Sequence, residues 1–197
     1  QTIAGLIGGP IEAAHYGLGL RLSALLILPL AIVNATIMPQ IVKLWARSRK
    51  RQLQHLLTAS ATISSCGAGV GLLGLLLLAM LGPEPVWDSS YAPALTVAVI
   101  LGCGQFVHTL GGSAGYLLLL LGHQKIFMRL TLIGGALAIA LAAPAMSLFG
   151  IVGLAVVMAS ANVAQTIAGT LLARRLLGLD SKARLIKLSR LWRVPRP

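Results

Sequence analysis

The amino-acid sequence predicts an all-α, polytopic membrane helical bundle: five complete transmembrane helices preceded by the end of another. Three observations lead there. The chain is 57% hydrophobic and 10% charged, with a mean hydropathy of +0.88, whereas ordinary soluble domains carry about 25% charged residues. Residues 130–173 contain no Asp, Glu, Lys or Arg. As one helix that stretch would be roughly 66 Å long, about twice the ~30 Å hydrocarbon core that some 20 residues cross, so it must cross twice. Finally, every Lys and Arg except Arg21 falls within Lys43–Arg51, Lys125–Arg129 or Arg174–Arg196. These clusters flank apolar runs on alternate sides, as the positive-inside rule requires. That placement ties the net charge of +12 to topology and argues against nucleic acid as a partner.

The elements follow in order. Residues 1–9, QTIAGLIGG, are too short to span. They read as the end of a preceding transmembrane helix, which makes the chain the C-terminal part of a longer protein and leaves its N-terminal half missing. Residues 10–178 form the bundle. The first span lies within Ile11–Trp45 and is kinked by Pro29 and Pro39, because proline removes a backbone bond and clashes with the preceding turn. The second runs over Leu53–Leu81, the third over Ala92–Leu121, the fourth over Ile126–Ala143 and the fifth over Ile151–Leu177. A loop over Pro144–Gly150 separates the last two. The loop Gly82–Ser90 carries Glu84, Trp87 and Asp88 and no positive charge. With the basic clusters cytoplasmic, both of these loops face outward and the C-terminus is cytoplasmic. Residues 179–197 are a basic tail in which Arg184, Lys187 and Arg190 recur beside Leu185, Leu188 and Trp192. The pattern suits an interfacial helix on the lipids of an anionic inner leaflet, and equally a basic tail that only enforces topology.

No catalytic constellation is present: there is no GxSxG, HExxH, Walker loop or pair of carboxylates. Glu12, Glu84, Asp88 and Asp180 all lie near predicted membrane edges. An enzyme is not expected, nor a metal or a cofactor. Cys66 and Cys103 sit inside apolar runs and read as small packing residues. The candidate cavity residues are therefore polar groups within the spans: Arg21, Asn34, Gln105 and His108. Arg21, near the outer end of the first span, either contacts an anionic substrate or snorkels to the interface. Gln105 and His108 lie one turn apart near the middle of the third span. Polar groups at that depth face the bundle interior, where they line a cavity or bond to a neighbouring helix. Asn34 lies between the two prolines, and broken helices line cavities in transporters. Gly67/Gly71 and Gly111/Gly115 form GxxxG pairs suited to close helix packing, and Gly111-Gly112 is a place for the third helix to bend.

Several motifs taken together resemble the C-terminal half of the multidrug/oligosaccharidyl-lipid/polysaccharide exporter superfamily, and within it the polysaccharide-biosynthesis (Wzx-like) flippases. The segment HYGLGLRLSALLILPLAIVNATIMPQIVKLW carries a Y…A…RL…P…P pattern at Tyr16, Arg21, Leu22, Pro29 and Pro39. SSYAPALTVAVILGCGQF follows from Ser89. GGSAGYLLLLLGHQK ends in an L-x-G-x-x-K turn at Gly122 to Lys125. FGIVGLAVVMASANVAQT begins at Phe149, and RRLLGL exits from Arg174. The resemblance covers nearly the whole chain. It implies the second bundle of a twelve-helix transporter of the bacterial inner membrane, moving an undecaprenyl-diphosphate-linked oligosaccharide by alternating access. Cation-coupled drug exporters and peptidoglycan-precursor flippases of the same superfamily remain open. So does a non-transporter, a membrane glycosyltransferase or polymerase of envelope polysaccharide synthesis, although its outer-loop active site would have to fit into short loops. The family's cationic cavity maps onto Arg21 at most.

Overall fold

Long runs of Leu, Ala, Ile and Gly uninterrupted by charge become long helices in the computed structural model, which describes residues 2–81 and 89–179. The Glu84/Asp88 loop and the basic tail from Asp180 onward lie outside the described residues. The elements are α1 (Thr2–Ala24), a 3₁₀ turn at Leu25–Ile27, α2 (Leu28–Ala46), α3 (Lys50–Leu81), a 3₁₀ turn at Ser89–Tyr91, α4 (Ala92–Gly111), α5 (Ala114–Leu120) and α6 (Gln124–Leu177). Four helical stretches are long and apolar enough to cross a membrane: Thr2–Ala46, Lys50–Leu81, Ser89–Gly111 and Gln124–Leu177. In none is more than 50% of the most apolar window buried within the chain. The apolar surface therefore faces outward, as in a membrane-embedded protein and unlike the core helices of a soluble one.

The longest element, α6, is folded back on itself. Gln165 Nε2 donates to Thr131 Oγ1 at 2.9 Å, although a straight helix would hold these residues about 51 Å apart. The reversal falls at Gly150 (φ 61°, ψ −153°), a conformation essentially confined to glycine. Two antiparallel arms result, 124–149 and 151–177. They approach so closely beside the turn that a Cβ on Gly153 would sit 2.5 Å from the Ala145 carbonyl oxygen. A second fold-back occurs at Gly9 (φ 84°, ψ 179°), where a Cβ on Gly5 would lie 3.6 Å from the Ala13 Cβ.

Three boundaries differ from the sequence expectation. The loop expected over Pro144–Gly150 is helical through Phe149, and the reversal takes a single residue because glycine reaches a dihedral that a proline-led loop does not need. The third span, expected to be continuous over Ala92–Leu121, breaks at Gly112 (φ 65°) into α4 and α5. In the first span, the disturbance is a tightening into 3₁₀ geometry at Leu25–Ile27, with Pro29 in the first turn of α2, where its missing N–H costs nothing. Pro39 stays inside α2.

The central helix is α4, which packs against α1, α3 and α6, while α2 packs on α3 and α5 on α6. Three apolar clusters build the core, the first at one level and the other two side by side around one stretch of α4. One, built from Ile37, Ile41, Leu53, Leu57, Leu117 and Leu177 among others, sits at the basic ends of the helices. A second gathers Tyr16, Leu101, Met146 and Leu154, and a third joins Leu26, Leu75 and Ala98. The GxxxG glycines sit at helix contacts: a Cβ on Gly67 would lie 2.9 Å from Pro29, and one on Gly115 2.9 Å from Phe127. At the basic end, the turn between α2 and α3 is clipped by Lys50 Nζ, 5.6 Å from the Trp45 ring.

Replacing Gly150 by Val should lower stability by about 1–3 kcal/mol, the cost of forcing a side chain into that backbone region. Thermal unfolding of detergent-purified protein measures it. Gly134→Ala is the control, because nothing lies within 4 Å of its added methyl. Equal effects from the two changes would mean that the reversal does not depend on Gly150.

Candidate functional site

Between the apolar clusters runs a layer of neutral polar side chains, and α4 carries its centre. Gln105 and His108 share one face of that helix, since three residues turn a helix by about 300°. That face meets the second arm of α6. Gln105 Oε1 accepts from Asn162 Nδ2 at 3.3 Å. His108 Nδ1 lies 2.9 Å from Thr166 Oγ1, and the Thr166 hydroxyl donates its single proton to the Asn162 carbonyl oxygen at 2.8 Å. With the Thr166 proton assigned to that carbonyl, His108 is the donor, Nδ1 carrying the proton and Nε2 being left as an acceptor. Gly111 makes room for this contact, for a Cβ there would strike the Thr166 methyl.

The opposite side of the layer faces α2 and α3. Where α4 ends at Gly112, Ser113 Oγ donates to Asn34 Oδ1 on α2, and both residues are buried. The helix break is what turns Ser113 to that partner, because the chain leaves the α4 axis one residue earlier. Thr109 satisfies itself on the Phe106 carbonyl at 2.7 Å. On α3, Ser60 bonds back to the Leu57 carbonyl at 2.9 Å. The hydroxyls of Ser64 and Ser65 are buried and have no hydrogen-bond partner among the described residues. Such a group costs about 1–3 kcal/mol when left unpaired. Beyond the second arm, the Gln165–Thr131 bond carries the layer to the first arm of α6.

The four residues singled out in the sequence are therefore placed in three environments. Gln105 and His108 lie together against α6. Asn34 lies on the far side of α4, joined to Ser113. Arg21 stands apart from both. Gly19 is pressed against Val97 and the Ala94 carbonyl of α4, and Arg21, two residues on, is turned about 200° away and is exposed. Among the described residues it has no ion-pair partner. Nearby, His15 and Tyr91 meet edge to face at 6.4 Å, tying the start of α4 to α1. Cys66 and Cys103 are both exposed, so they do not pack inside this chain as their apolar surroundings implied.

Asn162, Gln165 and Thr166, polar groups of the fifth expected span that were not among the cavity candidates, are members of the layer. Their signal was the i, i+4 spacing of Asn162 and Thr166, which is the spacing needed to meet Gln105 and His108 one turn apart on a facing helix. Ser113 and Thr131 gave no such signal. Each acquires its partner only through a break or a fold-back. Neither protein-family models, nor curated proteins, nor solved structures yield a match to this chain, so what the layer does must be argued from its own chemistry.

Interhelical hydrogen bonds in membranes are worth about 0.6 kcal/mol on average. A double-mutant cycle of His108→Ala and Thr166→Val, read as thermal unfolding in detergent, should give a coupling of about that size. A coupling of zero would mean that the contact contributes nothing to the α4–α6 register.

Proposed function

We propose that the chain is the second six-helix bundle of a twelve-helix transporter, which flips an undecaprenyl-diphosphate-linked oligosaccharide across the bacterial inner membrane. On this reading the two arms of α6 are separate crossings, so five spans lie between Pro10 and Leu177. Residues 2–8 then end the seventh helix of the full protein. The basic turn at Lys43–Arg51 and the basic ends of α6 are cytoplasmic, while Gly150 and Ser89 are external. The N-terminal half of the same protein would supply the facing wall of the cavity. No covalent step is involved: two bundles rock between inward-open and outward-open states around a polar site.

The observation that carries the proposal is the polar layer at mid-helix, beside the break at Gly112. Its members are neutral donors and acceptors, the chemistry that meets sugar hydroxyls. Uncharged groups at that depth cost far less to insert than ionised ones, which cost about 2.5–3.5 kcal/mol each at a helix centre. Arg21, with no ion-pair partner among the described residues and near the outer end of its span, offers the cation for a diphosphate. The sequence motifs centred on Tyr16, Arg21, Pro29 and Pro39 support the same reading. A cation-coupled drug exporter is the second reading. It is favoured by the buried, unpartnered hydroxyls of Ser64 and Ser65, since hard cations take oxygen ligands.

Cysteines introduced at Ser89 and Ser147 should be labelled from outside the cell and one at Ser48 only from inside. Labelling of Ser48 and Ser147 from the same side would remove the double crossing of α6. In the full-length protein, Arg21→Ala should reduce export of lipid-linked oligosaccharide, scored as surface polysaccharide at matched expression, and Arg21→Lys should retain more of it, because Lys keeps the charge but not the bidentate geometry. Normal export by Arg21→Ala would confine Arg21 to an interfacial role. Normal export by a variant with Asn34, Gln105 and His108 all changed to Ala would overturn the transport proposal for this layer.

A further inference from the structure

The two arms of α6 do not close on each other along their whole length. Between them lies a groove of about 390 Å³, lined on the first arm by Leu130, Gly134, Leu137 and Leu141 and on the second by Val157, Ala161, Ala164 and Ala168. From the level of Ala168 to that of Val157 it runs roughly 16 Å along the helix axis, about the depth of one leaflet of a ~30 Å hydrocarbon core. The first arm stands at the edge of the bundle, with Ile133, Leu137 and Leu141 between 55% and 62% exposed. The groove is thus open sideways to whatever surrounds the protein.

Its basic end is what names the occupant. On the second arm, the lining row Ala161–Ala164–Ala168 continues at helical spacing through Leu172 to Arg175, which is exposed. Arg175 stands roughly 10 Å beyond the end of the groove and on the same helix face. The antiparallel pairing set by the Thr131–Gln165 bond brings Arg129 of the first arm to within about 12 Å of the Arg175 level along the axis, about 100° around its helix from the groove-lining row; Lys125, nearer that level, lines a separate groove with Leu119, Phe127 and Leu132. All three cations are exposed, and none forms an ion pair among the described residues. An apolar slot one leaflet deep, with Arg175 on the same face beyond its end and Arg129 on its flank, matches a molecule with an acyl tail and a net negative headgroup. A zwitterionic lipid would bring its own ammonium against these cations, and a helix of another chain would leave them unpaired.

We infer that the groove between the arms of α6 is a binding site for an anionic phospholipid of the cytoplasmic leaflet, with one acyl chain between the arms and the phosphate held by Arg175, with Arg129 on its flank. The inference rests on the membrane topology proposed above, but not on transport. The site also explains why the second arm presents a row of alanines, Ala161, Ala164 and Ala168, to a space left unfilled: the tail completes the packing of the first arm.

The test uses the full chain purified in mild detergent and titrated with phosphatidylglycerol or phosphatidylcholine of identical acyl chains, with bound lipid counted by native mass spectrometry. Phosphatidylglycerol should be retained preferentially. Arg175→Gln should weaken that retention about fivefold, the loss expected for one basic side chain near an anionic surface, and Arg175→Lys should largely preserve it. Phosphatidylglycerol with a photoreactive tail should label both arms of α6. Ala164→Phe, which fills the groove, should abolish that labelling. Ala161→Leu provides the same test should Ala164→Phe unfold. Equal retention of the two lipids, or labelling unchanged by groove filling, would overturn the inference. Displacement of phosphatidylglycerol by a lipid-linked oligosaccharide at equal concentration would overturn it in favour of the transported substrate's own tail. Failure of the topology itself would show separately, as labelling of cysteines at Ser48 and Ser147 from the same side of the membrane.

Discussion

A peptide group in hydrocarbon has no water to bond to, so it must find its partner within the chain. That constraint shapes everything described for this molecule. It makes each crossing a helix. At Gly150 and Gly9 the chain reverses through one residue with positive φ, and the backbone is helical on both sides. The small residues near the turns follow from these tight reversals, since arms separated by a one-residue turn approach closely, and Gly153 has no room for a side chain.

The polar layer shows how such a bundle obtains a defined register. Packing of Leu, Ala and Gly against one another tolerates sliding, because one apolar contact resembles the next. The Gln105–Asn162, His108–Thr166 and Asn34–Ser113 bonds do not tolerate it. A slip of one turn would leave polar groups facing hydrocarbon on two helices. Each bond is weak, yet together they select one alignment of α2, α4 and α6 from several of similar packing energy. The apolar clusters on either side keep the layer closed off toward both ends.

The helices themselves were legible in the sequence, because absence of charge over a long run and clustering of cations at its ends are one-dimensional properties. The polar positions Gln105, His108 and Asn34 were legible for the same reason. Their partners were less so. Ser113 reaches Asn34 because of the dihedrals at Gly112, and Thr131 reaches Gln165 because α6 folds back; neither proximity is written in local spacing. The boundary at Gly150 was misplaced toward Pro144 because proline is the more familiar breaker, whereas a proline within a long helix is tolerated once neighbouring helices support it. The outward exposure of Cys66 and Cys103 was also invisible, since an apolar run alone does not say which side of the helix meets a neighbour.

The position of Asn162 and Thr166 has a consequence for biogenesis. Both lie on the second arm of α6, while Gln105 and His108 lie on a helix that leaves the ribosome well before them. Until that arm arrives, α4 carries an amide and an imidazole with no partner on that face, in the most apolar part of its surroundings. The earlier helices can therefore enter the bilayer in sequence, but α4 can only be provisionally seated. The 124–177 hairpin, whose arms carry no charge between Arg129 and Arg174, is suited to insert as one preformed unit. Its arrival converts a loose set of spans into a fixed one, so a nascent chain cut short before Asn162 exposes the same unpaired groups that mark an orphan subunit to a membrane quality-control protease.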